Sequence, residues 1–267
     1  MPAFVCVTCG VQFAETEVPP ARCPICEDPR QYVPESGQGW TTMQELAEGH
    51  ANRVAPEVEL TGIGTEPGFA IGQRALLVPF GDHRVLWDCI TLLDEATAEE
   101  VERRGGLAAI AISHPHYYSA MVAWAHRFDC PVYLHADDAE WIMRPDPAIE
   151  LWEGERKELG HGLTLVRCGG HFAGGTVLHW TDGAGGAGAL LSGDIVQVIP
   201  DRRHVGFMYS YPNLIPLPAR AVQGIVDALG ALPFDTIYGA WWDRIVRRDG
   251  RGAVERSAAR YVAALDR

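Results

Sequence analysis

Two histidines, His114 and His116, follow an apolar segment in the stretch AISHPHYYSAM. Their type and spacing make them candidates for a chemical role. Residues two apart at the end of a strand point to the same side, so both imidazoles can face one cleft. The proline between them favours an extended backbone at His114. Most such pairs are surface or packing residues, so a metal site is indicated only if the chain supplies further ligands.

Further candidate ligands lie in other strand-like segments or directly after them. His171 lies in the glycine-rich turn RCGGHFAGG, and Asp194 closes the segment ALLSGDIV. Upstream, Asp88 lies near the end of RVLWDC. A histidine that ligates a metal usually donates its other ring proton to a neighbouring group. We therefore expect Asp88 to accept such a proton beside a site that contains His171 and Asp194.

The elements that would position these side chains are strands first and alternating strands and helices later. EVELTGIG, ALLVPFG and RVLWDC alternate or run apolar between glycines, which predicts strands joined by tight turns. Further on, LAAIAIS and CPVYLH are typical of strands, whereas SAMVAWAHRF, ADDAEWIM and ARAVQGIVDALG are typical of helices. This order predicts an α/β protein in which helices cover the outer faces of a sheet-rich sandwich.

The ordered set of histidines and aspartates resembles the metallo-β-lactamase superfamily over residues 56–267. The resemblance implies an αββα four-layer sandwich with a metal site at one edge. It implies that His114, His116 and His171 are the three histidines that bind the first metal of that family and that Asp194 is the carboxylate that bridges its two metals. It also implies that Asp88 is the aspartate that ends a strand beside the site.

The chain departs from the family pattern at the second metal. The family motif is HxHxDH, but Tyr118 stands in place of its aspartate and Ser119 in place of its last histidine. The family's final histidine falls in IYGAWWDR, where Ala240 or Trp241 stands instead. The sequence therefore lacks all three side chains specific to the second metal. We expect one metal, Zn²⁺ or iron, at the histidine and aspartate site.

Three protein ligands with an open coordination position are typical of catalytic zinc. Asp194, which would have no second metal to bridge, is expected to orient the attacking water or to act as its general base. Tyr118 is a second candidate catalytic residue, provided that its phenol points into the site. The alternative is that the histidines are packed residues in an inactive scaffold.

An aromatic segment bounded by proline, FMYSYPNLIPLP, follows the metal aspartate. We expect it to form one wall of the substrate pocket, with Tyr209 or Tyr211 as a hydrogen-bond donor. Trp241 is expected to close the opposite wall, where the missing ligand stood. The alternative is that these aromatic side chains pack in the core, as such side chains often do.

The N-terminal segment contains two CxxC pairs in CVTCG and CPIC. Four thiolates in two such pairs predict a closed tetrahedral Zn²⁺ site that stabilises a unit with too small a core to fold alone. Redox-active cysteines are the weighed alternative, and iron in place of zinc remains open. The segment resembles a zinc ribbon or a truncated rubredoxin-like knuckle pair. The predicted ligands are Cys6, Cys9, Cys23 and Cys26.

Three units are predicted along the chain. They are a zinc-ribbon-like module at residues 1–35, a linker with a short helix at 36–55, and the metallo-β-lactamase-like domain at 56–267. The sequence contains no apolar run of membrane-spanning length and no secretory signal at its N-terminus, so we expect a cytoplasmic protein without membrane contact. A homo-oligomer remains open.

The net charge of −13 over 267 residues argues against nucleic acid as a partner, because phosphate binding needs clustered Lys and Arg. The sequence favours a metal-dependent hydrolase that acts on a small ester, thioester or lactone with a single metal. The alternative function is a non-catalytic protein that binds a ligand or a partner and has lost the second metal.

Overall fold

The computed structural model describes residues 1–265, and it begins with a small antiparallel sheet of order β2-β1-β3. Cys6 ends the central strand of this sheet, and Cys23 precedes a single helical turn that contains Cys26. The third strand comes from the predicted linker, because residues 40–41 pair with the free edge of the first strand. The bounds are β1 Ala3–Cys6, β2 Gln12–Glu15, α1 Pro24–Glu27 and β3 Trp40–Thr41.

Helix α2, Met43–Gly49, connects this module to the first large sheet. Thr42 and Glu45 form a capping box, in which each side chain accepts a hydrogen bond from the other residue's backbone N–H. The short helix predicted within residues 36–55 is therefore present, and Thr41 and Thr42 before it form the end of β3 and the N-cap.

The first large sheet has seven strands in the order β10-β9-β8-β7-β6-β5-β4. Pairing is antiparallel from β4 to β7 and parallel from β7 to β10. Its strands are β4 Ala51–Glu57, β5 Leu60–Glu66, β6 Ala75–Phe80, β7 His83–Trp87, β8 Leu107–Ala111, β9 Val132–His135 and β10 Ile149–Trp152. The helices between them are α3 Glu95–Arg103 and α4 Met121–Phe128. The segment ADDAEWIM, predicted as a helix, forms a short 3₁₀ helix at Ala136–Trp141.

The second large sheet has six strands in the order β11-β12-β13-β14-β19-β20, and only β14 and β19 are parallel. Its flanking helices are α5 Ala219–Leu229 and α6 Gly250–Leu265. The strands of this half are β11 Arg156–Gly160, β12 Leu163–Arg167, β13 Thr176–Trp180, β14 Ala189–Gly193, β15 Gln197–Val198, β16 Val205–Gly206, β17 Met208–Ser210, β18 Ile215–Pro216, β19 Thr236–Gly239 and β20 Ile245–Val246. Strands β15 to β18 form two small hairpins.

Alternation along the strands divides the core into three layers. On β6, Leu76 and Val78 face the second sheet, whereas Leu77 faces α3 and α4. On β14, Leu191 packs between the sheets and Leu190 packs beneath α5 and α6. Strands that bury both faces need apolar residues at every position, which is why these segments are continuously apolar. The predicted αββα four-layer sandwich is confirmed.

The candidate metal ligands and Asp88 lie together at one edge of the sandwich. Strands β7 and β8 are parallel neighbours, so Asp88 and His114 follow their carboxyl ends side by side. Asp194 directly follows β14, and His171 lies in the turn between β12 and β13. Within residues 1–265, no helix is both long enough and apolar enough to cross a membrane.

Candidate metal centre

His114 and His116 lie just beyond β8, in a turn rather than on the strand itself. His114 is extended and caps a short 3₁₀ helix, Pro115–Tyr117, that contains His116. Proline suits the first position of a helical turn because its φ is already fixed and it has no N–H to satisfy there. The two imidazole centroids lie 5.2 Å apart, so both rings face the same site as predicted, although a turn brings them together.

Ser113, rather than Asp88, is the hydrogen-bond partner of the His114 ring. The Ser113 hydroxyl lies 2.8 Å from His114 Nδ1, and the Ser113 backbone N–H donates to Asp88 Oδ1 at 2.8 Å. The expectation that Asp88 accepts a ring proton is therefore corrected, since one residue separates it from the histidine. Its buried carboxylate fixes the backbone that presents His114. The Nε2 atom of His114 has no hydrogen-bond partner in the described part of the chain.

His171 is held from its outer side by the hairpin of β17 and β18. Its Nδ1 lies 3.1 Å from the carbonyl oxygen of Met208, which can only accept a hydrogen bond. That contact places the ring proton on Nδ1 and leaves Nε2 free as a ligand. Nε2 in turn lies 3.3 Å from His116 Nδ1.

The four predicted ligands fit one metal ion. His114, His116, His171 and Asp194 are each at most 5% exposed, and one ligand atom from each lies within 4.8 Å of the others. Two nitrogens on a tetrahedral ion at about 2.0–2.1 Å would lie about 3.3–3.4 Å apart, close to the separation between His116 and His171. The buried Nε2 of His114 has no hydrogen-bond partner among the described residues, which is costly, and a metal would satisfy it.

Burial sets the protonation of these groups. It lowers the pKa of His171 to about 4, and it lowers the pKa of His114 and His116 well below the usual value. The imidazoles are therefore neutral near pH 7, the form that binds metal. Burial also raises the pKa of Asp194 to about 7, an effect that the nearby Tyr117 hydroxyl partly offsets and the charge of Asp88 reinforces.

A cavity of about 280 Å³ opens onto three of these ligands, His116, His171 and Asp194. Tyr211 and Trp241 line this cavity, and the Tyr211 hydroxyl donates to the backbone carbonyl of Asp194 at 3.0 Å. Tyr209 is not among the lining residues, and its ring instead lies 5.5 Å from the guanidinium of Arg30. The aromatic segment bends into the hairpin of β17 and β18, so neighbouring tyrosines face different sides.

Sequence comparison finds a close relative of this chain in Bacillus subtilis (strain 168). That protein, described as the uncharacterized protein YmaE, is 49% identical over 269 residues, which span 100% of this chain and 98% of YmaE. The chain belongs to the YmaE family. A scan against protein-family models finds no match.

Solved structures show which fold this member of the YmaE family shares. VMB-1 matches with a TM-score of 0.59 and 12% identity, over 80% of this chain and 98% of that one. The metallo-β-lactamase FIM-1 from Pseudomonas aeruginosa, in a mono-zinc form, matches with a TM-score of 0.57 and 15% identity, over 80% and 96%. The chain therefore has the metallo-β-lactamase fold.

Tyr118 does not face the metal centre of this YmaE-family protein. Its hydroxyl lies 3.4 Å from the carbonyl oxygen of Asp138, and its ring borders the N-terminal module instead. The prediction of Tyr118 as a catalytic residue is therefore wrong, because the 3₁₀ turn rotates it away and presents Tyr117. The Tyr117 hydroxyl is buried and, among the described residues, has no hydrogen bond of good geometry.

The neighbouring Ser119 also forms hydrogen bonds, through both its side chain and its backbone. Gln73 Nε2 donates to its hydroxyl at 3.0 Å, the hydroxyl lies 3.2 Å from the carbonyl of Cys89, and the backbone N–H of Gln12 donates to its carbonyl. Two of the three positions at which the sequence lacks the ligands of a second metal, Tyr118 and Ser119, thus contact the N-terminal module.

The four cysteines of the N-terminal module form a second candidate metal site. Cys6 Sγ lies 3.5 Å from Cys26 Sγ, and Cys9 Sγ lies 3.7 Å from Cys23 Sγ. Thiolates on a tetrahedral zinc ion at about 2.3 Å would be about 3.8 Å apart. All four side chains are buried, so the geometry fits the predicted closed site.

Sequence reasoning missed the residues that this module gives to the cavity. The lining includes Thr8, Arg30, Gln31 and Tyr32, together with Gln197 from the sandwich. The only local sequence signal for these lining residues is the proline and the basic residue that follow CPIC. Contacts between residues so far apart along the chain produce no periodic pattern in the sequence.

Proposed function

We propose that this protein is a metal-dependent hydrolase of a small ester, thioester or lactone and that it uses a single metal ion. The observation that carries the proposal is the buried set of three histidines and Asp194 at the base of an open cavity. In this fold, such a donor set with an open side is suited to acyl substrates rather than to purely structural metal binding.

His114, His116 and His171 would hold the ion, with Asp194 beside them. When bound, the metal would supply Lewis acidity and lower the pKa of a water to about 7. Asp194 Oδ1 lies 3.4 Å from Gln197 Nε2, and Oδ2 lies 3.8 Å from His114 Nε2. Gln197 thus orients the carboxylate, and Oδ2 is the atom that would accept a proton from the attacking water.

The cavity supports a small substrate with one polar end. Ala70, Ile71 and Trp241 form an apolar side that would exclude bulk water, and the Trp241 indole N–H is occupied by the carbonyl of Ile71. Thr8 and Gln31 lie among the lining residues as polar groups that could hold the substrate carbonyl or leaving group. The engagement of Tyr118 and Ser119 in packing supports a single metal.

Hydrolysis of a panel of small esters, thioesters and lactones tests the proposal. The metal-loaded protein is expected to turn over at least one class, and His116→Ala is expected to lower kcat/KM at least 100-fold, because it removes a ligand. His126→Ala is the matched control, since that histidine lies on the surface and pairs with Asp146. Equal turnover by wild type and His116→Ala would contradict the proposal.

The alternative, a non-catalytic binding protein, makes the opposite prediction for the same panel. A protein that holds metal at the histidines, hydrolyses none of the three classes and still binds such compounds reversibly would favour that alternative.

A further inference from the structure

The side chain of Arg30 connects the N-terminal module to the metal centre. Its Nη1 donates to the backbone carbonyl of His171 at 3.3 Å. Its guanidinium carbon lies 3.7 Å from the ring centroid of Phe172, so the planar group stacks on the residue that follows the histidine. One arginine therefore holds both the backbone and the neighbour of a candidate metal ligand.

Arg30 is itself fixed by the cysteine knuckle. Its Nε and Nη2 donate to the two carboxylate oxygens of Asp28 at 2.6 and 3.0 Å, and its side chain is only 12% exposed. The Asp28 N–H donates to the carbonyl of Pro24, which closes the helical turn around Cys26. Bidentate pairs of this kind restrict orientation as well as distance. A metal on the cysteines would therefore set where the guanidinium points.

The other side of His171 is tied to the same segment of the module. Ser210 donates its hydroxyl to the Arg30 carbonyl at 3.0 Å, and Asn213 Nδ2 donates to the carbonyls of Pro29 and Gln31. Both residues lie on the hairpin whose Met208 carbonyl faces the His171 ring. The histidine is thus held between the module and a hairpin that the module braces.

The positive charge of Arg30 beside the candidate metal ligands requires a structural explanation. A guanidinium close to three neutral histidines disfavours a cation among them, since like charges repel. Asp28 balances that charge, and the remaining polar contact of Arg30 goes to His171 rather than to solvent. An apolar side chain would fill the space against Phe172 without the electrostatic cost, so simple packing does not account for arginine.

We infer that Arg30 is a positioning residue through which the four-cysteine module holds His171 in place for metal binding. The inference rests on the proposed function only in taking the histidines as metal ligands. The two candidate metal sites are then coupled, because the cysteine site helps the histidine site to bind its metal.

Cobalt titration of the full chain tests the inference, because thiolate ligands give an intense charge-transfer absorption that histidine and carboxylate ligands lack. Arg30→Ala is expected to leave the thiolate absorption intact and to weaken cobalt binding at the histidine site about 10- to 100-fold, the usual cost of losing a group that orients a ligand. Arg30→Lys should recover part of this loss, because lysine restores one donor but not the bidentate pair.

Arg22→Ala is the matched control, since Arg22 lies in the same module with a side chain 74% exposed. It should bind cobalt at both sites as the wild type does. Wild-type affinity at the histidine site in Arg30→Ala would overturn the inference.

Asp28→Asn keeps the test decisive if Arg30→Ala disturbs the thiolate absorption. This substitution retains the shape of the Asp28 side chain but removes its negative charge. It should therefore also lower the affinity of the histidine site for cobalt. Unchanged affinity in both Asp28→Asn and Arg30→Lys would also overturn the inference. Hydrolysis is measured separately: a wild type that binds both ions without turnover would contradict the proposed function, whereas the affinities would still decide the role of Arg30.

Discussion

At the scale of single residues, the types and order of the metal ligands could be predicted from the sequence, but their supporting hydrogen bonds could not. His114, His116 and His171 each follow a recognisable apolar segment, and the structure brings them together. The roles expected of Asp88 and Tyr118 were wrong in detail. A 3₁₀ turn after Pro115 changes which side chain faces inward, and a one-residue change in orientation leaves no trace in the sequence pattern.

Ser113→Ala is expected to weaken metal binding at the histidine site about 10- to 100-fold, because the His114 ring loses the hydroxyl that fixes its orientation. The measurement is a competition titration with a chelator of known affinity.

Ser257→Ala is the matched control for this change. It also removes a buried hydroxyl, which accepts a hydrogen bond from the Val205 N–H far from the metal site. It should lower the free energy of unfolding without a change in metal affinity. Equal metal affinity in Ser113→Ala and the wild type would argue against an orienting role.

At the scale of elements, the strands and long helices could be predicted because their burial patterns are local. The turn that carries His171 is harder to predict, since its shape depends on contacts with distant elements. Gly170 has a φ of +82°, and a Cβ there would lie 2.8 Å from Ile225 on α5. The glycine thus allows the turn to adopt a left-handed backbone and to pack closely on a helix.

Gly170→Ala is expected to lower the free energy of unfolding by about 1–3 kcal/mol, from backbone strain and overlap with α5. It should also weaken metal binding, because His171 is the next residue. Urea unfolding and metal titration would measure the two effects.

Gly224→Ala supplies the comparison within α5. A Cβ at Gly224 would meet nothing within 4 Å, so alanine should be neutral or stabilise the helix by up to about 1 kcal/mol. A loss of stability as large as that of Gly170→Ala would show that substitution of glycine, rather than the geometry of the turn, is responsible.

At the scale of the whole molecule, the sequence predicted two metal-binding parts but not that they meet. The contact between Arg30 and His171 joins residues separated by 141 positions, and no periodicity reports such a contact. The predicted linker also contributes β3 to the N-terminal sheet and most of β4 to the first large sheet. The small module thus lines the cavity beside the histidines and also carries the four cysteines of its own candidate metal site.

The central claim is that the chain holds one ion at the cysteines and one at the histidines. Elemental analysis of zinc-saturated protein after removal of excess metal tests it most directly. We predict two ions per chain for the wild type and one for His171→Ala. Three ions per wild-type chain, or a single ion that His171→Ala leaves unchanged, would contradict the claim.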